Sequence, residues 1–215
     1  MEIENCSPDV VSRWIIEKYP RENEYSDPFK VLVSTILSQR TRDENTEEAS
    51  RRLFEVYEDA DAIARAEPGD LYALIKASGM YRQKAERIVN CARIILETFN
   101  GEVPDTLEEL TSIPGVGRKT ANIVLNISFG KPALAVDTHV HRISNRLGWI
   151  STKRTEDTEF ALMDLISPEL WGPVNGSMVE FGREICRPLM PRCEVCGIKS
   201  CCEFFSQNSQ QSVGK

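Results

Sequence analysis

Four cysteines near the C-terminal end of the chain have the spacing C-x6-C-x2-C-x5-C. They are Cys186, Cys193, Cys196 and Cys202. Because two prolines and a glycine lie between them, this short loop could wrap one compact metal centre. Four thiolates suit tetrahedral zinc or a cubane iron–sulfur cluster. Zinc sites more often pair two short knuckles, whereas this loop has a single C-x2-C. The spacing therefore favours iron–sulfur first, zinc second and disulfides third.

Lys119 is the second candidate for chemistry, and it follows the glycine-rich stretch Ile-Pro-Gly-Val-Gly. A capping box at Thr106 predicts a short helix, the glycines break it, and residues 118–129 resume helical periodicity. The resulting helix–hairpin–helix can turn successive N–H groups toward an anion at a helix N-terminus. We therefore expect a phosphate site that reads no base sequence, formed by Gly115, Val116, Gly117 and Arg118. The alternative is a plain glycine-rich connection between packed helices.

A lysine in the first turn of a helix opposes the helix dipole and is poorly placed for stability. A solvated surface lysine is the commonest explanation, but a positive helix end and partial burial also favour the neutral, nucleophilic form of an amine. Further along, Asp137 follows an apolar run in the segment Val-Asp-Thr-His. It is predicted to cap a helix, to act as a catalytic carboxylate, or to do both. His139 and Arg142 are expected to contact phosphate.

These groups must be positioned by short amphipathic helices, which the rest of the sequence predicts. Ser7-Pro8 is typical of a helix start, and the stretch from Ala85 to Phe99 has the clearest helical stripe. Residues 31–37 are rich in β-branched side chains and have strand propensity. Because no Asn-Gly or Asp-Gly hairpin signal joins alternating runs, an all-α fold is predicted. Residues 206–215 are low in complexity and predicted to be disordered.

The composition, with 41% hydrophobic and 27% charged residues among 215, is that of an ordinary globular protein. The sequence has no apparent signal peptide or membrane span, and its seven cysteines are an odd number. A reducing, cytoplasmic compartment is therefore expected, with Cys6 and Cys91 as small buried hydrophobes.

The net charge of −7 argues at first sight against a nucleic acid partner. However, residues 118–146 contain five basic residues and one acidic residue, and residues 182–202 contain four basic and two acidic residues. Two basic patches on an acidic chain are compatible with an anionic ligand that binds one side.

Together, the hairpin, Lys119, the Val-Asp-Thr-His segment and the cysteine loop resemble the endonuclease III family, the iron–sulfur branch of the helix–hairpin–helix DNA glycosylases. The resemblance runs in the same order from about residue 31 to residue 205. It implies a bilobed all-α protein with a helical barrel at 21–130, containing the helix–hairpin–helix at about 107–129. Residues 1–20 and 131–205 would form a discontinuous second domain with a [4Fe–4S] cluster.

The resemblance also implies an activity: a monomer associated with the nucleoid that acts on double-stranded DNA carrying damaged bases or abasic sites. Lys119 would attack C1′, expel an oxidised pyrimidine and cut the strand by β-elimination, assisted by Asp137. Gln39 or Arg40 would fill the space left by the flipped nucleotide, and Met80 would be the opposing wedge. The cluster would hold a basic loop against phosphates. Its basic residues are Arg187, Arg192 and Lys199.

Two points stay open in the sequence. Cys201 stands beside Cys202, and only the family's spacing favours Cys202 as the fourth ligand. A mismatch glycosylase removing uracil, thymine or adenine is the alternative activity within the class, and a non-catalytic DNA-binding module is the alternative outside it.

Overall fold

A computed structural model describes residues 5–212 of the chain, and it contains helices and loops with no strand in that range. The all-α prediction is therefore confirmed. The α-helices are α1 (Pro8–Lys18), α2 (Pro28–Ser38), α3 (Asp43–Val56), α4 (Ala60–Arg65), α5 (Pro68–Ile75), α6 (Tyr81–Phe99), α7 (Leu107–Ser112), α8 (Arg118–Phe129), α9 (Thr138–Leu147), α10 (Thr155–Met163), α11 (Trp171–Glu184) and α12 (Glu203–Ser212). Short 3-10 turns occur at Lys76–Ser78, Pro168–Leu170, Cys193–Val195 and Lys199–Cys201.

The chain divides into two compact units. One unit is Asn23–Lys131, and the other combines the described residues up to Glu22 with those from Pro132 onward. These boundaries lie one or two residues from those that the resemblance implied. Lys119 belongs to the first unit, whereas Asp137 and the cysteine loop belong to the second.

The unit 23–131 is built around α6 and α2. The predicted stripe of α6 is buried at Ala85, Ile88, Val89, Ala92 and Ile95, and the helix packs against α4 and α5. Helix α2 begins at Pro28, where the Asp27 carboxylate accepts a hydrogen bond from the Lys30 N–H at 2.8 Å. Its residues 31–37 are buried on nearly every side. A helix buried all round has no polar face, which explains why its sequence also suits a strand.

The other unit packs α1 against α11, and α11 against α9. Val11 and Ile15 of α1 are fully buried in one apolar core with residues of α9 and α11. Helix α1 starts at Pro8 after Ser7, as the sequence predicted.

The segment after Phe205 differs from what the sequence predicts. Disorder was predicted for 206–215, but α12 extends to Ser212, and residues 213–215 lie outside the described range. The Ser206 N–H donates to the Cys202 carbonyl, and the Arg146 guanidinium lies 4.7 Å from the centre of the Phe204 ring. Tertiary contacts at its first turn thus extend a helix through a polar tail of weak intrinsic preference.

The environment of Cys6 also differs from what the sequence predicts. Its side chain is exposed, and it forms a disulfide with Cys201, 195 residues away in the sequence. The prediction that Cys6 is a small buried hydrophobe is therefore wrong, whereas Cys91 is fully buried as expected. Within the described residues, no helix combines the length and the apolar content that crossing a membrane requires.

Candidate active site and metal centre

All four predicted ligand cysteines line one cavity, partly open to solvent, in the second unit. Its remaining wall comes mainly from apolar side chains of α9, α11 and α12, including Ile143, Phe181 and Phe204. Among residues 5–212, no three His, Cys, Asp or Glu side chains converge closely enough to hold a single metal ion.

The position of Cys201 bears on which cysteine completes the set. Its sulfur is bonded to Cys6, whereas Cys202 lines the cavity with the other three. The Cys202 thiol also donates to the Arg146 carbonyl at 3.4 Å. This arrangement supports Cys202 as the fourth ligand.

Two arginines one turn apart on α9 hold the chain around the first of these cysteines. Arg142 donates to the Cys186 carbonyl at 2.9 Å and to the Gly182 carbonyl at 3.3 Å. Arg146 donates to the Arg187 carbonyl at 2.6 Å and approaches the Cys186 sulfur at 3.4 Å. From the sequence, both arginines are expected to contribute basic charge, and Arg142 is expected to contact phosphate. Their donors are in fact used within the protein, where they fix the start of the cysteine loop.

The cysteine loop also packs tightly on α1. A Cβ atom added at Gly197 would lie 2.4 Å from Cζ2 of Trp14. Since real Cβ atoms do not approach other atoms so closely, only glycine fits at this position of the loop.

The electrostatics of the cysteine loop by itself disfavour thiolates. Burial raises the pKa of Cys196 to about 11, and neighbouring sulfurs add to the effect, although the Ile198 N–H acts in the opposite direction. Burial likewise raises the pKa of Cys193 and of Cys202, and N–H groups of Phe205 and Phe204 partly offset it at Cys202. Four thiolates in this cavity would need a bound cationic centre to neutralise them.

The predicted hairpin has the expected form. Helix α7 begins at Thr106, whose hydroxyl accepts from the Glu109 N–H at 3.2 Å, and α8 begins after Gly117. Gly115 lies between them with a φ of +87°, which glycine adopts without strain. Within the described residues, the N–H groups of Gly115 and Gly117 have no acceptor, and both glycines are exposed. The turn therefore presents donors at the positive end of α8.

Lys119 is the second residue of α8, one turn from these donors. It is half-buried, and no hydrogen bond or ion pair to its ammonium is found in the part of the chain that the structure describes. By contrast, Lys131 just beyond the same helix pairs with Asp105 at 2.7 Å. The amine of Lys119 is thus positioned at a helix N-terminus without a carboxylate that would hold it as a structural cation.

Asp137 is the N-cap of α9. Its Oδ1 accepts from the N–H groups of His139 at 2.8 Å and Val140 at 2.9 Å. Within residues 5–212 the other carboxylate oxygen makes no hydrogen bond, and the side chain is half-buried. The capping role predicted for Asp137 is confirmed, and it leaves one oxygen available for a second role.

The predicted wedge residues lie on two adjacent turns of the first unit. Gln39 and Arg40 follow α2, and Met80 precedes α6 with 44% of its surface exposed. The Arg87 guanidinium donates to Gln39 Oε1 at 3.1 Å, and its side chain also lies against Gly115 of the hairpin. Sequence analysis missed Arg87, since nothing in its local pattern distinguishes it from any other basic residue of an exposed helical face.

The predicted phosphate contacts differ in their exposure and in the hydrogen bonds that they already make within the protein. Arg187 and Arg192 are exposed, but the Arg187 Nε–H donates to the Arg183 carbonyl at 3.1 Å, and the Lys199 ammonium donates to the Glu194 carbonyl at 3.1 Å. His139 is half-buried beside Arg142, its Nδ1 lying 3.2 Å from the guanidinium. Burial lowers the pKa of His139, with the charge of nearby Asp137 acting in the opposite direction. Its neutral form is therefore favoured, which weakens its expected role as a phosphate contact.

The helical architecture and the hairpin define a class of DNA repair proteins. Residues 33–168 match the family model described as the HhH-GPD superfamily of base excision DNA repair proteins. The chain is 62% identical to endonuclease III of Thermotoga maritima, over 95% of this chain and 96% of the relative. It is 37% identical to endonuclease III of Escherichia coli, over 85% of this chain and 87% of the relative.

A solved structure of a trapped endonuclease III–DNA covalent intermediate, an estranged-adenine complex, is also similar. Its TM-score is 0.85 at 33% identity, covering 92% of this chain and 95% of that one. The chain therefore belongs to the endonuclease III family, and it is a base excision repair enzyme with DNA glycosylase and AP lyase activity.

Proposed function

We propose that the protein removes oxidised pyrimidines of the thymine glycol type from double-stranded DNA, and that Lys119 is the nucleophile for both base removal and strand cleavage. The observation that carries this proposal is the half-buried side chain of Lys119 at the start of α8, whose ammonium has no ion-pair partner in the described chain. An amine without a carboxylate partner is available as a nucleophile, and the adjacent hairpin donors can bind the phosphate of the same nucleotide.

The chemistry follows from an amine nucleophile. Neutral Nζ attacks C1′ of the damaged nucleotide, and the bond from C1′ to the base breaks, so that the base leaves with the electron pair. The amine then loses a proton, the C1′–O4′ bond breaks as the nitrogen lone pair forms the C=N bond, and O4′ takes up a proton. The product is a protonated Schiff base between Nζ and C1′. Removal of a C2′ proton then breaks the C3′–O bond. The strand is cut on the 3′ side of the abasic site, and the phosphate stays on the downstream fragment.

Asp137 is proposed to assist base removal with the carboxylate oxygen that the helix cap leaves available. A carboxylate can accept the proton from the amine, or it can stabilise positive charge that develops on the sugar. The two N–H groups that hold Oδ1 fix the orientation of the carboxyl group. Capping and catalysis are therefore compatible in one side chain.

Cys186, Cys193, Cys196 and Cys202 are proposed to hold a [4Fe–4S] cluster. The support is a cavity lined by all four cysteines, together with Arg146 and backbone N–H groups directed at sulfur. The cluster supplies cross-linking that keeps the loop in shape. The exposed Arg187 and Arg192 on that loop are proposed to contact DNA phosphates.

Borohydride trapping tests the nucleophile. Incubation of the protein with a duplex carrying thymine glycol, in the presence of borohydride, should yield a covalent protein–DNA adduct. Lys119→Gln should lose both the adduct and cleavage of abasic DNA. Lys131→Gln is the matched control, since it removes a lysine just beyond the same helix and should keep both activities. Full-rate cleavage by Lys119→Gln would show that the nucleophile is another residue.

The same protein preparation can be used to test the substrate range and the oligomeric state. A duplex with a G·T mismatch should give far less product than thymine glycol; the reverse order would favour the mismatch alternative. Since the hairpin, Lys119 and the cysteine loop lie on one chain, we expect a monomer by size-exclusion chromatography, acting on nucleoid DNA in the cytoplasm.

A further inference from the structure

Among residues 5–212, Lys84 is the largest fully buried side chain, with 1% of its surface exposed. Its ammonium donates three hydrogen bonds of 2.7 Å each, to the Leu37 carbonyl, the Thr41 hydroxyl and the Ser78 carbonyl. All three acceptors are neutral, and no carboxylate pairs with Lys84 in the described chain. Burial lowers its pKa to about 8, and the charge of Arg87 acts in the same direction.

The three acceptors lie in or directly beside the two turns that carry the predicted wedge residues. Leu37 and Thr41 flank Gln39 and Arg40, whereas Ser78 lies two residues before Met80. The Thr41 hydroxyl also donates to the Ser78 carbonyl, which links the two turns directly. One buried ammonium therefore ties both turns together.

Both turns contain a residue in a backbone conformation that side chains disfavour. Arg40 has a φ of +54°, and Met80 has a φ of +43°. Neither residue is glycine, so each turn would relax to another conformation unless its surroundings hold it. The hydrogen bonds from Lys84 to the carbonyls of Leu37 and Ser78 act on the backbone within three residues of these positions.

We propose that Lys84 is a positioning residue. It fixes the Gln39–Arg40 turn and the Met80 turn in one relative geometry, so that the side chains of these turns can insert into the DNA duplex at the damaged position. This inference rests on the proposed function, in which the target base leaves the stack. Lys84 contacts neither DNA nor the reacting atoms. Its effect passes through the backbone of the two turns.

A general stabilising role is the alternative for any buried lysine. Keeping a cation in the interior without a counterion is unfavourable, and apolar residues of similar volume commonly replace buried charges with little loss of stability. Three short bonds to two strained turns instead suggest that the lysine specifies loop geometry. The two roles differ in which substrates they affect, because a flipped base leaves a gap only in a duplex.

The test compares Lys84→Met with wild type on two substrates. Methionine keeps the length and burial of the side chain but loses its three donors. On duplex DNA containing thymine glycol, we expect kcat/KM to fall by at least about tenfold, since small misplacements of positioning groups have effects of this size. On a single-stranded oligonucleotide with one abasic site, borohydride trapping under single-turnover conditions should stay within about twofold of wild type. Lys76→Met, at an exposed lysine of the same unit, should resemble wild type on both.

Equal losses on both substrates, or no loss on either, would overturn the proposal. If Lys84→Met does not fold, Thr41→Val decides by the same criterion, since it removes the hydroxyl that joins Lys84 to the Ser78 carbonyl. A wild-type protein inactive on both substrates would instead refute the proposed function. The two failures are therefore distinguishable.

Discussion

Asp137 gives the sharpest prediction because its two proposed roles respond differently to two substitutions. Its Oδ1 accepts from the N–H groups of His139 and Val140, at 2.8 and 2.9 Å. Asparagine keeps an oxygen at this position and caps helices about as well as aspartate, whereas alanine cannot cap. Asp137→Asn therefore removes the charge and keeps the cap, and Asp137→Ala removes both.

The magnitudes follow from these contacts. Loss of the cap in Asp137→Ala should lower the free energy of unfolding by about 1–2 kcal/mol. Loss of the charge alone in Asp137→Asn removes only its interaction with the dipole of α9, about 0.3–1 kcal/mol. For a chain of this size, each kcal/mol shifts the Tm by about 2–4 °C. If the carboxylate assists base removal, both variants should lose about 100-fold or more in excision rate.

The assay is single-turnover release of thymine glycol from a duplex, with thermal unfolding of the same preparations. The two-role interpretation expects Asp137→Asn to be nearly as stable as wild type but strongly impaired in excision. If Asp137→Asn excised at the wild-type rate while Asp137→Ala lost stability, the residue would be a helix cap alone. If Asp137→Asn releases thymine glycol slowly but still cuts preformed abasic DNA, the carboxylate acts in the base-removal step.

Two further predictions concern cysteines that are neighbours in sequence but have different partners. Cys202→Ser should abolish the brown colour and the visible absorption of an iron–sulfur protein, whereas Cys201→Ser should keep both. The opposite result would show that Cys201, and not Cys202, is the fourth ligand. Cys6→Ser should lower the free energy of unfolding of the oxidised protein by about 2–4 kcal/mol, because it removes the disulfide to Cys201. Reductant should cause the same loss in wild type and none in Cys6→Ser, and equal stability of the oxidised proteins would refute this contribution.

Much of the local structure could be predicted from the sequence. The limits of the hairpin follow from Thr106 and from the glycines before Arg118, because helix caps and breaks depend on residues within one turn. The cysteine loop could be predicted for a similar reason. Its four cysteines lie so close together in the sequence that their spacing alone indicates one shared site. The tail after Phe205 was the local failure, because its helix depends on contacts of its first turn and not on its own composition.

The sequence by itself determined which residue types stand next to one another: an all-helical chain, a glycine-rich hairpin followed by Lys119, and a cysteine loop. Only the tertiary structure decided the partners of side chains that are far apart in the chain. Lys84 reaches Leu37 across 47 residues, and Cys6 bonds to Cys201 across 195. Arg142 and Arg146, which read as basic surface, instead hold the carbonyls of the cysteine loop. The physical reason is that capping and turn preferences act within a few residues, whereas the partners of buried cations and thiols are set by helix packing.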